Sequence, residues 1–145
     1  MAVIIRKITL WRVDVENRPG ALAGVLEPLA NAGADLDVVM GYPLPGDGSR
    51  AAIEVSPVSG KKVVAAAVAA GLNSSSIPSL VVQGDNKPGL GHAITRSLAE
   101  AGINITFAVA QVIGRRFTAI FGFESEAHAR QAASLIRRAT TRGRR

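Results

Sequence analysis

Asn17-Arg18-Pro19-Gly20 and Asn86-Lys87-Pro88-Gly89 are one four-residue signal written twice, 69 residues apart. The register holds downstream. Leu29-Ala30 returns as Leu98-Ala99, Ala32-Gly33 as Ala101-Gly102, and Asp35-Leu36 as the related pair Asn104-Ile105. A four-residue match alone is weak, but a match kept in one register over about 20 residues marks duplicated units. The period is too long for a solenoid repeat, and two copies make a pair of small domains.

Outward from each turn, the same order of elements is expected. Residues 3–15 are rich in β-branched residues and read as a strand. Residues 20–32 carry Leu22, Val25, Leu26 and Leu29 at helical spacing and stop at Gly33, a residue suited to a helix C-terminus. Pro28 removes one hydrogen bond from that helix and should kink it. Strands are expected at 35–42 and 50–56 around the Pro- and Gly-rich loop 43–48, and a helix at 59–71 ends at Gly71. The polar stretch 72–79, with Pro78, reads as a linker. The second copy repeats the order: strand 80–84, helix 89–101 with Leu90, Ile94 and Leu98 in a row, strand 103–113, strand 117–123, and a last helix capped by Ser125. The expected fold is therefore α+β, two tandem ferredoxin-like βαββα(β) units with antiparallel sheets, a first domain at 1–73 and a second at 78–145. Each copy lacks one strand of the full pattern. The strand at 80–84 can close the first sheet or open the second, and bare edges need a cover.

Composition narrows the function classes. Of 145 residues, 48% are hydrophobic and 19% charged, which supports packed cores, and there is no cysteine to form a disulfide, a thiolate metal site or a nucleophile. The net charge of +6 is local. Six of the 17 basic residues are Arg130, Arg137, Arg138, Arg142, Arg144 and Arg145, leaving 11 against the chain's 11 acidic residues. This basic tail over 137–145 reads as a solvated helix end favoured by the helix dipole. Arg6 and Lys7 come too early for a signal-peptide core, and no apolar run approaches the ~20 residues of a bilayer span, so a cytoplasmic location and no membrane association are expected.

The turns suggest chemistry. Each lies before a helix N-terminus, where backbone N–H groups lack partners and favour a carboxylate. Glycine lets a ligand approach the backbone, and the Asn side chain both donates and accepts, which suits a zwitterion. The same four residues also make a good strand-to-helix turn with no ligand at all.

At this point the sequence resembles the ACT domain family, whose hallmark is a strand ending in such an Asn-basic-Pro-Gly turn before a leucine-containing helix. Here the residues are Glu16-Asn17-Arg18-Pro19-Gly20-Ala21-Leu22 and Asp85-Asn86-Lys87-Pro88-Gly89-Leu90, followed by Gly33-Ala34-Asp35-Leu36 and Gly102-Ile103-Asn104-Ile105. The resemblance covers nearly the whole chain. It implies a regulatory amino-acid-binding protein without catalysis, acting through an interdomain or interchain ligand site. The implied ligand residues are Asn17, Arg18, Pro19, Gly20, Ala21 and Leu22 with Asn104, and Asn86, Lys87, Gly89 and Leu90 with Asp35. Asp35 departs from the family's Asn: it accepts from an ammonium but repels a nearby carboxylate, so the two sites are not equivalent and the Asn17 site is favoured. Leu36, Val38, Ile105 and Phe107 suggest a branched or aromatic ligand. A homodimer and a regulated partner protein are expected; no cofactor is.

Other features carry less. Gly89-x-Gly91 starts a dinucleotide fingerprint that Ile94 ends. His92 and His128 stand alone, without metal-ligand neighbours in sequence. Tyr42 reads as a pocket, core or interface residue. Ser74-Ser75-Ser76 has no adjacent base. An RNA-binding alternative rests on Arg115, Arg116 and Phe117 with the basic tail, although Ala119 occupies the place of a second stacking aromatic. No acid–base pair or nucleophile constellation points to an enzyme.

Overall fold

The computed structural model describes residues 3–142, the side chain of Arg142 excepted; Arg144 and Arg145 of the expected basic tail lie outside the described residues. The element order is β1 (Ile4–Ile8), β2 (Trp11–Glu16), α1 (Ala21–Asn31), β3 (Val38–Leu44), β4 (Asp47–Ser56), α2 (Lys61–Ala69), β5 (Asn73–Ser74), β6 (Ser79–Asp85), α3 (Leu90–Glu100), β7 (Ile105–Ile113), β8 (Arg116–Phe123) and α4 (Glu126–Arg142). They form two four-stranded antiparallel sheets, ordered β3-β4-β2-β5 and β1-β6-β8-β7. The class is α+β with two ferredoxin-like units, as the repeat implied.

The first unit is Thr9–Ser76. Its strands read β2-α1-β3-β4-α2-β5, a full βαββαβ unit. The fourth strand lies inside the stretch expected to be linker. Asn73 and Ser74 pair with Arg12 and Trp11, and the Ser75 N–H donates to the Leu10 carbonyl at 2.7 Å. Leu72 is fully buried and anchors the segment in the core. The pairing is two residues long and polar, so no hydrophobic period announces it. The core joins Val25 and Leu29 of α1, Ile53 and Val55 of β4, and Val63 and Ala67 of α2. Pro28 sits in the interior of α1, and the chain remains helical to Asn31.

The second unit comprises residues 77–142 together with β1 from the start of the chain. Its missing strand is β1, which pairs with β6 from Ile4↔Gln83 to Ile8↔Ser79. The expected single strand at 3–15 is thus two strands that part at Thr9-Leu10 and enter different sheets. Residues 1–73 are not one continuous unit, because the backbone ladder of β1 lies on β6. The strand at 80–84 opens the second sheet and does not close the first. Ile94 and Leu98 of α3 are fully buried, 69 residues on from Val25 and Leu29, so the repeat preserves the helix positions that face the core. Ser125 accepts from the His128 N–H at 3.1 Å and caps α4 as expected. That helix runs on to Arg142, so residues 137–142 of the basic tail are its last turns. No helix of the described residues is long and apolar enough to cross a membrane.

The β1–β6 ladder sets a test. Deleting residues 1–8 exposes the edge of β6 and uncovers part of the second core. Hydrogen-exchange protection along β6 should fall about tenfold or more, while β2 and β4 keep theirs. Equal loss in both units, or none in β6, would contradict the pairing.

Candidate functional site

Both Asn-x-Pro-Gly turns resolve into the same backbone device. The Ala21 N–H donates to the Arg18 carbonyl at 3.1 Å, and Gly20 sits at φ 87°, ψ −7°. In the second copy the Leu90 N–H donates to the Lys87 carbonyl at 3.2 Å, with Gly89 at φ 82°, ψ 2°. This is a type II turn, which uses Pro at its second position and requires positive φ at its third. Proline therefore precedes the helix cap and is not the first helical residue. The glycines are dictated by conformation: a Cβ at either position meets nothing within 4 Å.

Each turn also bonds to the hairpin of its own sheet. The Asn17 N–H donates to the Ser49 carbonyl at 2.8 Å and its side-chain amide to the Gly48 carbonyl at 2.9 Å. The Asn86 N–H donates to the Arg115 carbonyl at 2.8 Å. Part of what these asparagines do is therefore structural. Arg18 and Glu16 form an exposed, loose pair at 3.6 Å, an arrangement of little energetic weight.

What the turns leave open are the helix starts. Gly24 and Ala93 donate back to the Gly20 and Gly89 carbonyls. Neither helix has a side-chain cap or an acidic residue in its first turn. The N–H groups of Leu22 and Ala23, and of Gly91 and His92, precede the first intrahelical bond and face no competing carboxylate. The two copies differ in their leucines. Leu22 lies one position later in the repeat than Leu90, about 100° further round the helix. It is 41% exposed, whereas Leu90 is 4% exposed and part of the core. The first turn thus presents unbonded amides beside an exposed apolar side chain. Asp35 and Asn104 are both exposed. Asn104 immediately precedes β7, but β3 begins at Val38, so Asp35 lies in the loop before it rather than at the strand start expected.

The face of the first sheet turned away from its helices holds a polar group that the sequence reading did not assemble. Glu54 on β4 is 3% exposed and accepts from the Tyr42 hydroxyl of β3 at 2.6 Å. Opposite Glu54 in register is Arg12 of β2, which donates to Asp14 at 2.9 Å. Burial, and then the bond to Glu54, push the Tyr42 hydroxyl up to about 12. The Asp14 hydrogen bond holds Arg12 above its ordinary value. The available signal was one Glu inside the apolar run Ala51-Ala52-Ile53-Glu54-Val55.

The RNA-binding alternative loses its stacking platform. Phe117 is 6% exposed and packed in the second core, and Arg116 is paired with Asp85 at 3.0 Å. Phe107 lies against Gly122, where any Cβ would collide with the ring. Among the described residues there is no group of three or more His, Cys, Asp or Glu able to hold a metal.

No family model and no curated protein matches the sequence. Solved structures share its fold, that of tandem ferredoxin-like, ACT-type units. The regulatory subunit of aspartate kinase from Thermus thermophilus is 18% identical with a TM-score of 0.63, over 96% of this chain and 97% of that one. The aspartokinase alpha and beta subunits are 16% identical, TM-score 0.66, over 97% and 98%. Protein BT0572 from Bacteroides thetaiotaomicron is 14% identical, TM-score 0.71, over 95% and 90%.

Tyr42 is the chain's one tyrosine, so its ionisation can be followed without interference from another. Its folded pKa lies above the unfolded value. The stabilisation is therefore complete below pH ~10 and is lost as pH rises through about 12. A near-ultraviolet titration should show a midpoint near 12 that moves to ~10 in denaturant and falls in Glu54→Gln; a folded midpoint at the ordinary value would refute the Tyr42–Glu54 contact.

Proposed function

We propose that this chain is a regulatory binding protein of tandem ACT type that senses an amino acid or a related small acid without catalysing a reaction. The observation that carries this reading is the start of α1. Its amides are uncapped, its first turn holds no acid, and Leu22 lies exposed beside them. A ligand carboxylate accepts from those amides, an apolar side chain covers Leu22, and Asn17 offers a polar contact for the ammonium. The ligand residues proposed are Asn17, Arg18, Pro19, Gly20, Ala21 and Leu22 with Asn104. A second, weaker set is Asn86, Lys87, Gly89 and Leu90 with Asp35, where buried Leu90 gives no apolar contact surface. The likeness to structures described as regulatory subunits of aspartate kinase agrees with this reading.

We further propose a homodimer and a regulated partner protein. Strand β7 supports the dimer. It is an edge strand of nine residues, exposed from Ala108 onward, with Val109, Val112 and Ile113 largely uncovered and no charged residue. The other edge of that sheet, β1, carries Arg6 and Lys7. Exposed, uncharged edges invite pairing with another strand.

Two measurements test these proposals. In a thermal-shift screen of the whole chain against the amino acids and several keto acids, one ligand at ~100 times its dissociation constant should add about 2.7 kcal/mol, or roughly 5–10 °C. The shift should largely vanish in Leu22→Asp, which places a carboxylate at the helix start. An absence of any shift, or one unaffected by that substitution, counts against the sensor. In sedimentation equilibrium the chain should be dimeric and Val109→Lys monomeric; a wild-type monomer, or a variant that stays dimeric, counts against pairing through β7.

A further inference from the structure

A groove of about 610 Å3 runs between α3 and α4 in the helical layer of the second unit. That volume is within the range of small-molecule sites. His92 and Arg96, one helical turn apart on α3, form one wall and Arg138 of α4 the other. Ala93, Leu135 and Ala139 give it an apolar lining. None of the turn residues Asn86–Leu90 lines it, so it is separate from the ligand residues proposed above.

The charge in this groove is not balanced. Glu100 is the one carboxylate among its described lining residues, and it is already bonded to Arg96 at 2.8 Å, an i,i+4 pair. Arg138 has no ion-pair partner among the described residues. Its neighbours in sequence, Arg137 and Ala139, bring no acid, and the last acidic residue of α4 is Glu126. The lining therefore carries two guanidiniums against one carboxylate, with an apolar surface beneath. Small side chains keep it open: Ala93, Ser97, Ala101 and Ala139 stand where longer ones would fill it.

We infer that this groove binds a small organic anion: a carboxylate on a flat apolar body. The carboxylate lies on the Arg138 guanidinium, whose planar fork matches it with two parallel hydrogen bonds. The apolar body lies over Ala93, Leu135 and Ala139. A cation is disfavoured by the excess of arginine, and a neutral ligand leaves Arg138 without its partner.

Naphthalene-2-carboxylate is a suitable probe, titrated into the isotope-labelled whole chain and followed by amide chemical shifts. Saturable shifts should map to α3 and α4, around Ala93, Ser97, Ala101 and Ala139. Arg138→Glu should weaken binding at least tenfold, and Ala139→Leu, which fills the groove without changing its charge, should do the same. The uncharged naphthalene-2-methanol should bind the wild-type chain at least tenfold more weakly. Each variant is accepted only if its spectrum elsewhere matches the wild type. Shifts that map outside α3 and α4, equal affinity in Arg138→Glu, or no binding at millimolar probe would overturn the inference. The start of α1 is read in the same spectra, so failure here is distinguishable from failure of the amino-acid site.

Discussion

The structure depends on a constraint at two glycines. Gly20 and Gly89 hold positive φ at the third position of a type II turn, and this lets a strand end and a helix begin within four residues. An L-residue with a side chain at that position would be strained by about 1–2 kcal/mol. The same turn brings Asn17 and Asn86 to hydrogen bonds with the neighbouring hairpin, so strand, helix and hairpin are fixed to one another at one point in each unit. It also leaves the next two helical amides unbonded, those of Leu22 and Ala23 in one unit and of Gly91 and His92 in the other. The property that gives the motif its structural value thus also leaves the donors on which the proposed anion site rests.

The second organising feature is the ladder between β1 and β6. The first unit uses its own C-terminal residues, Asn73 and Ser74, as its fourth strand. The second receives that strand from the beginning of the chain. In both sheets the order is the same, with the fourth strand beside the strand that precedes the turn. In sequence, the first unit is therefore an insertion between β1 and the rest of the second.

Much of this was legible in the sequence. The repeat register identified two like units, and it identified the core faces of their first helices through Val25, Leu29, Ile94 and Leu98. What escaped has physical reasons. Residues 3–15 have one continuous β-forming character, and the break at Thr9-Leu10 depends on which sheet each half joins, which is a tertiary choice. Strand β5 is too short to show a period. The motif's leucines looked equivalent, yet a one-position offset turns Leu22 outward and Leu90 inward. Local spacing cannot join Tyr42, Glu54 and Arg12, because they meet only through sheet register. Of the candidate site, the position of each turn before a helix start was legible; the structural bonds already made by Asn17 were not.

These bonds give the functional proposal its particular form. The first turn has an exposed apolar residue and open amides, and the second has the amides with its leucine in the core. An amino-acid ligand should therefore engage the first turn preferentially. The most direct measurement is an amide chemical-shift titration of the whole chain with the amino acid that stabilises it most. The account predicts that the largest shifts fall on Leu22 and Ala23, with the Asn17 side-chain amide moving in step, at concentrations where Gly91 and His92 are still unaffected. Shifts confined to other parts of the chain, or equal at both turns, would contradict it.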